Sequence, residues 1–180
     1  EIEKMRASGR FVADVLDAVQ EQVRPGISTW DLEVIAEERV QKGKVKPAFK
    51  GYRVGSNVFP CCLCISVNEE VVHGIPNERV LVAGDIVSLD TGCRIDGWCG
   101  DAAVTHAIGD IDETSQRLLD VTQKTLDLAI DLIDHETMWS EVAKRMEKFV
   151  NDNGFHVVEQ MVGHGIGKEL HESPSVPNFY

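Results

Sequence analysis

An Asp-Gly pair at 96–97, set inside the run DIVSLDTGCRIDGWCGD from Asp85 to Asp101, constrains this chain more than any other feature. Asp-Gly between two apolar stretches predicts a β-hairpin, because a tight two-residue turn asks both loop residues for positive φ. With Asp96 and Gly97 as the loop, Asp90 faces Ala103 and Asp101 faces Gly92. Side chains alternate along a strand, so Asp90 and Asp101 project from one face as diagonal neighbours about 7 Å apart. Two carboxylates so placed repel unless both reach water or a cation lies between them. The hairpin therefore presents either solvated acids or a site for one or two hard or borderline metal ions.

The rest of the chain narrows the choice. Its 180 residues suffice for one domain, or two tightly joined halves, with ample apolar content for a core. Net charge is −12 and no Lys/Arg stripe forms, which argues against nucleic acid as a direct ligand. No apolar run approaches the roughly 20 residues that span a bilayer, and no signal peptide opens the chain. A soluble cytoplasmic protein with no membrane partner is expected. Because the chain opens at Glu1 inside a helical pattern, a trimmed beginning is expected too. Five cysteines, Cys61, Cys62, Cys64, Cys93 and Cys99, make an odd number and argue against a disulfide framework. Cys61 and Cys64 form a C-x-x-C, but Cys93 and Cys99 lack the spacing of a second zinc pair. Small apolar residues of a buried strand are the expectation.

Periodicity predicts a helix over Ile2–Val23, with Met5, Phe11, Val12, Val15, Leu16, Val19 and Val23 on one stripe. Pro25-Gly26 ends it, and Ser28 with Asp31 has the pattern of a capping box before a second helix to about Lys42. Residues 43–60 read as a long irregular loop. A strand is expected over Cys62–Val67, then a turn-rich connector carrying His73, then the hairpin within Val80–Ile108. Thr114 or Ser115 should cap a helix reaching Ile133, followed by a helix over Trp139–Asn153 and a strand over His156–Val162. Long helix, shorter helix, glycine and strand thus occur twice, with Asp31-Leu32 and Glu141-Val142 in similar places. This suggests a duplicated α+β domain with an N-terminal half over 1–110 and a partial C-terminal half over 111–180.

His164 lies between Gly163 and Gly165, where the backbone can approach a ligand closely. His171 follows beside Glu172, and His73 precedes Gly74 and Pro76. Each alone also reads as an ordinary surface or turn histidine, while His106, His135 and His156 carry no assigned role. Trp98 and Cys99 are expected to cover the hairpin's other face. Together, two same-face aspartates and a glycine-flanked histidine make a mixed oxygen and nitrogen donor set. That set suits Mn²⁺, Fe²⁺, Co²⁺ or Zn²⁺ better than Ca²⁺. Two further histidines could donate hydrogen bonds to a substrate carbonyl as it becomes tetrahedral.

These residues resemble type I methionine aminopeptidases: Asn68-Glu69-x-x-x-His73-Gly74-Ile75-Pro76, the Asp90/Asp101 hairpin, and Gly163-His164-Gly165-Ile166-Gly167 through His171-Glu172. Ile2-Glu3-Lys4-Met5-Arg6 and Arg24-Pro25-Gly26 look like that family as well. The resemblance implies a pita-bread α+β fold, a curved antiparallel sheet with flanking helices in two pseudo-symmetric halves around two divalent metals, Co, Mn, Fe or Zn. It implies Asp90 as a chelating ligand, Asp101 as a bridge between the metals, and His164 as an imidazole ligand of the second. His73 and His171 would position the scissile peptide and stabilise its oxyanion. Phe59, Cys64, Leu170 and His73 would line the methionine pocket. The activity implied is hydrolytic removal of the initiator methionine from nascent chains, with the ribosome as a further partner. The family uses two more ligands, both glutamates, on strands after the His171 segment. The chain ends at Tyr180 before either, and Glu172 does not replace them by position, so an incomplete second half is expected. Residues 51–60 depart from the family's shorter loop, which leaves Tyr52 a candidate pocket residue only. The alternatives are a proline-specific pita-bread peptidase and a non-catalytic module that binds peptides or proteins.

Overall fold

The structure, a computed structural model, describes residues 1–180, apart from the side chain of Val54. Two compact units divide the chain: Glu1–Ile111 with Ile166–Leu170, and Asp112–Gly165 with His171–Tyr180.

In the first unit, α1 (Ile2–Gln20) and α2 (Thr29–Gly43) precede a sheet. On α1 the buried Val12, Val15, Leu16 and Val19 recur at helical spacing. Ser28 caps α2 with the expected box: its side chain accepts from the Asp31 N–H, and the Asp31 carboxylate accepts from the Ser28 N–H. Within the segment expected to be irregular lie three short strands, β1 (Lys46–Pro47), β2 (Arg53–Val54) and β3 (Asn57–Val58). β2 and β3 form their own hairpin, whereas β1 pairs with the sheet. Then follow β4 (Leu63–Val67), β5 (Ile86–Ile95) and β6 (Trp98–Ala107). β5 is central, with β6 along one side and β4 and β1 in line along the other.

The hairpin has the expected register, Asp90↔Ala103 and Gly92↔Asp101. Asp96 and Gly97 take φ of 50° and 83°, so both turn residues occupy the left-handed region the turn requires. Alternation then separates the two sheet faces. Leu63, Ile65, Val67, Val87, Leu89 and Cys93 pack with Val12, Val15, Leu32, Ala36 and Val40 in the main core. Helix α1 crosses β6 closely, since a Cβ on Gly100 would come 2.7 Å from the Ser8–Gly9 backbone.

The second unit holds α3 (Glu113–Ile133), α4 (Trp139–Asp152), β7 (Gly163–Gly165) and β8 (Glu172–Val176). Ala129, Leu132, Val142 and Met146 form its buried cluster. Two expectations need correction here. The cap of α3 is Asp112, whose carboxylate accepts from the Thr114 and Ser115 N–H groups. A carboxylate at that place satisfies two helix-start donors and favours the positive end of the helix. Residues 156–162 are not a strand: the Met161 N–H closes a turn onto the Val158 carbonyl, and the ladder instead joins β7 to β8. Pattern alone cannot supply a strand's hydrogen-bonding partner. The repeated helix pair is present, but the strand expected to complete its second copy is not.

Candidate active site

The site begins with the face of the sheet turned away from the main core. Cys64 on β4 pairs with Asp90 on β5, which pairs with Ala103 on β6, and Asp101 stands diagonally across from Asp90. Asp90 is only partly exposed, and its carboxyl is held well above the ordinary carboxylate range. Burial is the largest cause, followed by the charge of Asp101 and a hydrogen bond with it. The two acids therefore share one face at hydrogen-bonding range, both half-buried. A site that penalises its own negative charge in this way fits a divalent cation, which would let both carboxylates ionise.

Beside the acids lies an apolar wall. Phe49, Cys64, Cys99 and Leu170 are buried together, with Ala48, Phe59 and Ile166 packed against them. Phe49 and Phe59 meet edge to face with centroids 6.4 Å apart. Gly92 makes room for this packing, since a Cβ there would lie 2.9 Å from the Phe49 ring. Phe59, Cys64 and Leu170, three of the residues the resemblance assigns to a pocket, thus pack in one cluster that does not include the fourth, His73, whereas Phe49 and Ile166 had no assigned role. Cys99 corrects an expectation: it lies two residues from Asp101 and so shares its face, while Trp98 alternates to the other. Its N–H donates to the Gly167 carbonyl at 2.7 Å, and Arg94 pairs with Glu169, so Ile166–Leu170 is tied to the hairpin.

The thiol of Cys64 is pushed up to about 12 by burial and then by the charges of Asp90 and Asp101. It remains a protonated, apolar wall residue, since only a thiolate binds metal well. Cys61, Cys62 and Cys93 are buried and raised as well, to about 11, about 12 and about 12, in keeping with cysteines that pack.

His73 is exposed at a left-handed backbone position, φ 61°, beside the edge of β4. In the second unit His164 on β7 and His171 just before β8 bring their rings to a centroid distance of 4.3 Å. His164 Nδ1 also lies 2.9 Å from the Gly165 carbonyl. Among the described residues no group of three or more His, Cys, Asp and Glu is arranged to hold a metal ion. Three local groupings stand instead: the Asp90–Asp101 pair, the Phe59–Cys64–Leu170 wall and the His164–His171 pair.

Metallopeptidase family M24 matches residues 3–180. The chain is 43% identical to a methionine aminopeptidase of Borreliella burgdorferi, covering all of this chain and 70% of that protein. It is 41% identical to one from Clostridium acetobutylicum, with 99% and 70% covered. The crystal structure of methionine aminopeptidase from Thermotoga maritima superposes with a TM-score of 0.93 at 43% identity, covering 99% of this chain and 71% of that one. A prolidase from Pyrococcus furiosus shares the fold, at a TM-score of 0.82 and 18% identity. With identity of 41–43% sustained along its length, the chain belongs to metallopeptidase family M24 and, within it, to the methionine aminopeptidases, with their α+β pita-bread fold.

Proposed function

We propose that this protein removes the N-terminal methionine from nascent polypeptides in a metal-dependent hydrolysis, in the cytoplasm and in reach of the ribosome. The observation that carries the reading is the half-buried Asp90–Asp101 pair beside an apolar wall of Phe59, Cys64 and Leu170. Two divalent ions, Co, Mn, Fe or Zn, would supply there a water of lowered pKa and a polarised peptide carbonyl. Asp90 and Asp101 would hold those ions by carboxylate oxygens, with His164 as the imidazole ligand that the family motif implies.

The wall receives the substrate's first side chain. An unbranched thioether packs flexibly against Phe59 and the protonated Cys64 thiol, and a slot of limited size disfavours branched or charged side chains. His73 and His171 donate hydrogen bonds to the peptide carbonyl, stabilising the charge that develops on its oxygen. The free amine of the substrate then stays beside the two carboxylates, which favours an N-terminal residue over an internal one.

The test is hydrolysis of a Met-Ala-Ser peptide by the full-length protein, with metal counted by elemental analysis. Release of free methionine with Mn²⁺ or Co²⁺, abolished by a chelator, is the expected result. A protein that purifies and refolds with bound metal yet leaves Met-Ala-Ser intact overturns the reading.

A further inference from the structure

β4 presents two side chains on the face that carries Asp90: Cys64, part of the apolar wall, and Ser66 two residues later. Ser66 is buried, only 3% exposed, and its hydroxyl oxygen accepts the Gly74 N–H at 3.0 Å. One residue back on the strand, the Ile65 N–H donates to the Gly74 carbonyl at 2.9 Å. Gly74 is therefore gripped at both its backbone groups, once by the strand's backbone and once by a side chain. A single hydrogen bond would leave the connector free to pivot about it. The second, from a buried hydroxyl of fixed position, removes that freedom.

The grip is close. A Cβ on Gly74 would lie 2.1 Å from the Ile65 carbonyl oxygen, so only glycine can sit this near the strand. The residue immediately before it is His73, at φ 61°. A side-chain-bearing residue adopts that conformation at some cost and keeps it only where its surroundings hold it. The surroundings here are the clamp on Gly74.

We propose that Ser66 is a positioning residue: by fixing the Gly74 N–H it fixes the backbone from which the His73 imidazole reaches the substrate. The proposal rests on His73 acting on substrate, as above. One strand would then set both elements of recognition, the pocket wall through Cys64 and the donor histidine through Ser66, with the same two-residue period.

The experiment uses the metal-loaded full-length protein and a methionyl tripeptide, comparing Ser66→Ala, Ser66→Thr, His73→Ala and the double variant Ser66→Ala/His73→Ala. Ser66→Ala removes one oxygen from a buried site and is expected to fold. A displaced catalytic group can cost about 100-fold in rate, so Ser66→Ala should lower kcat by about 10- to 100-fold while KM stays within about twofold. Ser66→Thr keeps the acceptor and should recover most of the rate. In the His73→Ala background, Ser66→Ala should cost less than about twofold, because the group it positions is gone. Amide exchange at Gly74 should quicken in Ser66→Ala while β5 amides stay protected. Wild-type kcat in Ser66→Ala, or an equal loss in both backgrounds, overturns the positioning role. Wild-type turnover in His73→Ala removes His73 from the reaction and this proposal with it.

Discussion

Leu32 and Leu126 are the same side chain on two amphipathic helices, one in each unit. Leu32 on α2 is fully buried, while Leu126 on α3 is 54% exposed, as are Ile130 and Ile133 at 58%. The first unit sets its helices against a sheet whose alternate residues are apolar, so a helical stripe finds a surface. In the second unit the helix pair buries Ala129, Leu132, Val142 and Met146 between its members, and the remaining face of α3 stays open. Periodicity shows that a helix is amphipathic. Burial depends on what the rest of the chain brings to that stripe.

The contrast extends to the short helices. Counted from their first residues, Leu32 and Val142 hold the same place, and both are buried. The next place holds Glu33 in α2 and Ala143 in α4, again both buried. The carboxylate of Glu33 accepts the backbone N–H groups of Cys62 and Leu63 at 2.7 and 2.9 Å, which fixes the start of β4. Alanine has no acceptor to offer a strand. The first unit thus spends a buried acid on placing the strand that carries Cys64 and Ser66, and the second does not.

The sharpest test concerns the face of the first unit that carries Asp90 and Asp101. Asp101→Ala should remove several kcal/mol of charge stabilisation in the transition state, a loss of about 10³-fold in activity, together with bound metal. Metal-free Asp101→Ala loses both the like charge beside Asp90 and the hydrogen bond to it, so its stability should stay within about 1 kcal/mol of the metal-free parent's in urea unfolding. Methionine release at the parent's rate would break the assignment of this face.

Next in size is the leucine pair. Leu32→Ala empties a packed site and should cost about 3 kcal/mol in urea unfolding. Leu126→Ala acts on an exposed position and should stay within about 0.5 kcal/mol. Equal costs at the two sites would erase the contrast between the units.

These differences show what the amino-acid sequence alone could reveal. The hairpin register was legible because a two-residue Asp-Gly turn fixes pairing locally, and from it followed the shared face of Asp90 and Asp101. The same alternation would have placed Cys99 with Asp101, a signal that was present and missed. Phe49 had no such signal, lying in a segment of glycine, lysine and proline in which β1 forms by pairing with the distant β5. Glu33 reads as one more solvated acid on a helix, since its partners are amides 29 and 30 residues away. Residues 156–162 have a strand's composition without a ladder to join.

Glu33 itself gives a smaller effect. Glu33→Ala leaves two buried N–H groups without an acceptor and should cost about 2 kcal/mol. Burial raises the Glu33 carboxyl above its ordinary 4.5, against the opposing pull of the Cys62 and Leu63 N–H groups. A raised value means that the folded state holds the proton more tightly. The stability it contributes is complete below 4.5 and is lost as pH rises through the raised folded value. The stability of wild type relative to Glu33→Gln should therefore decline from pH 4.5 upward. A difference that grows over that range would reverse the assigned sign.

The smallest predicted effect is also the most direct comparison of the two short helices. α2 begins with a complete capping box, whereas α4 begins at Met138, which has no side-chain cap bond. Met138 nevertheless has the extended backbone of a cap, φ −128° and ψ 129°, and Glu141 stands three residues later where a box needs its acid. Its side chain is 62% exposed, so replacing it sacrifices little packing. Ser28→Ala should destabilise the protein by about 1 kcal/mol, and Met138→Ser should stabilise it by about 0.5–1 kcal/mol. Both are read from urea midpoints at neutral pH, where the acid at the third position is ionised. Opposite signs at the two helices would mean that their starts differ only in the residue supplied. A Met138→Ser variant no more stable than its parent would mean instead that the start of α4 is limited by its surroundings, and that the likeness between the helix pairs ends at their order along the chain.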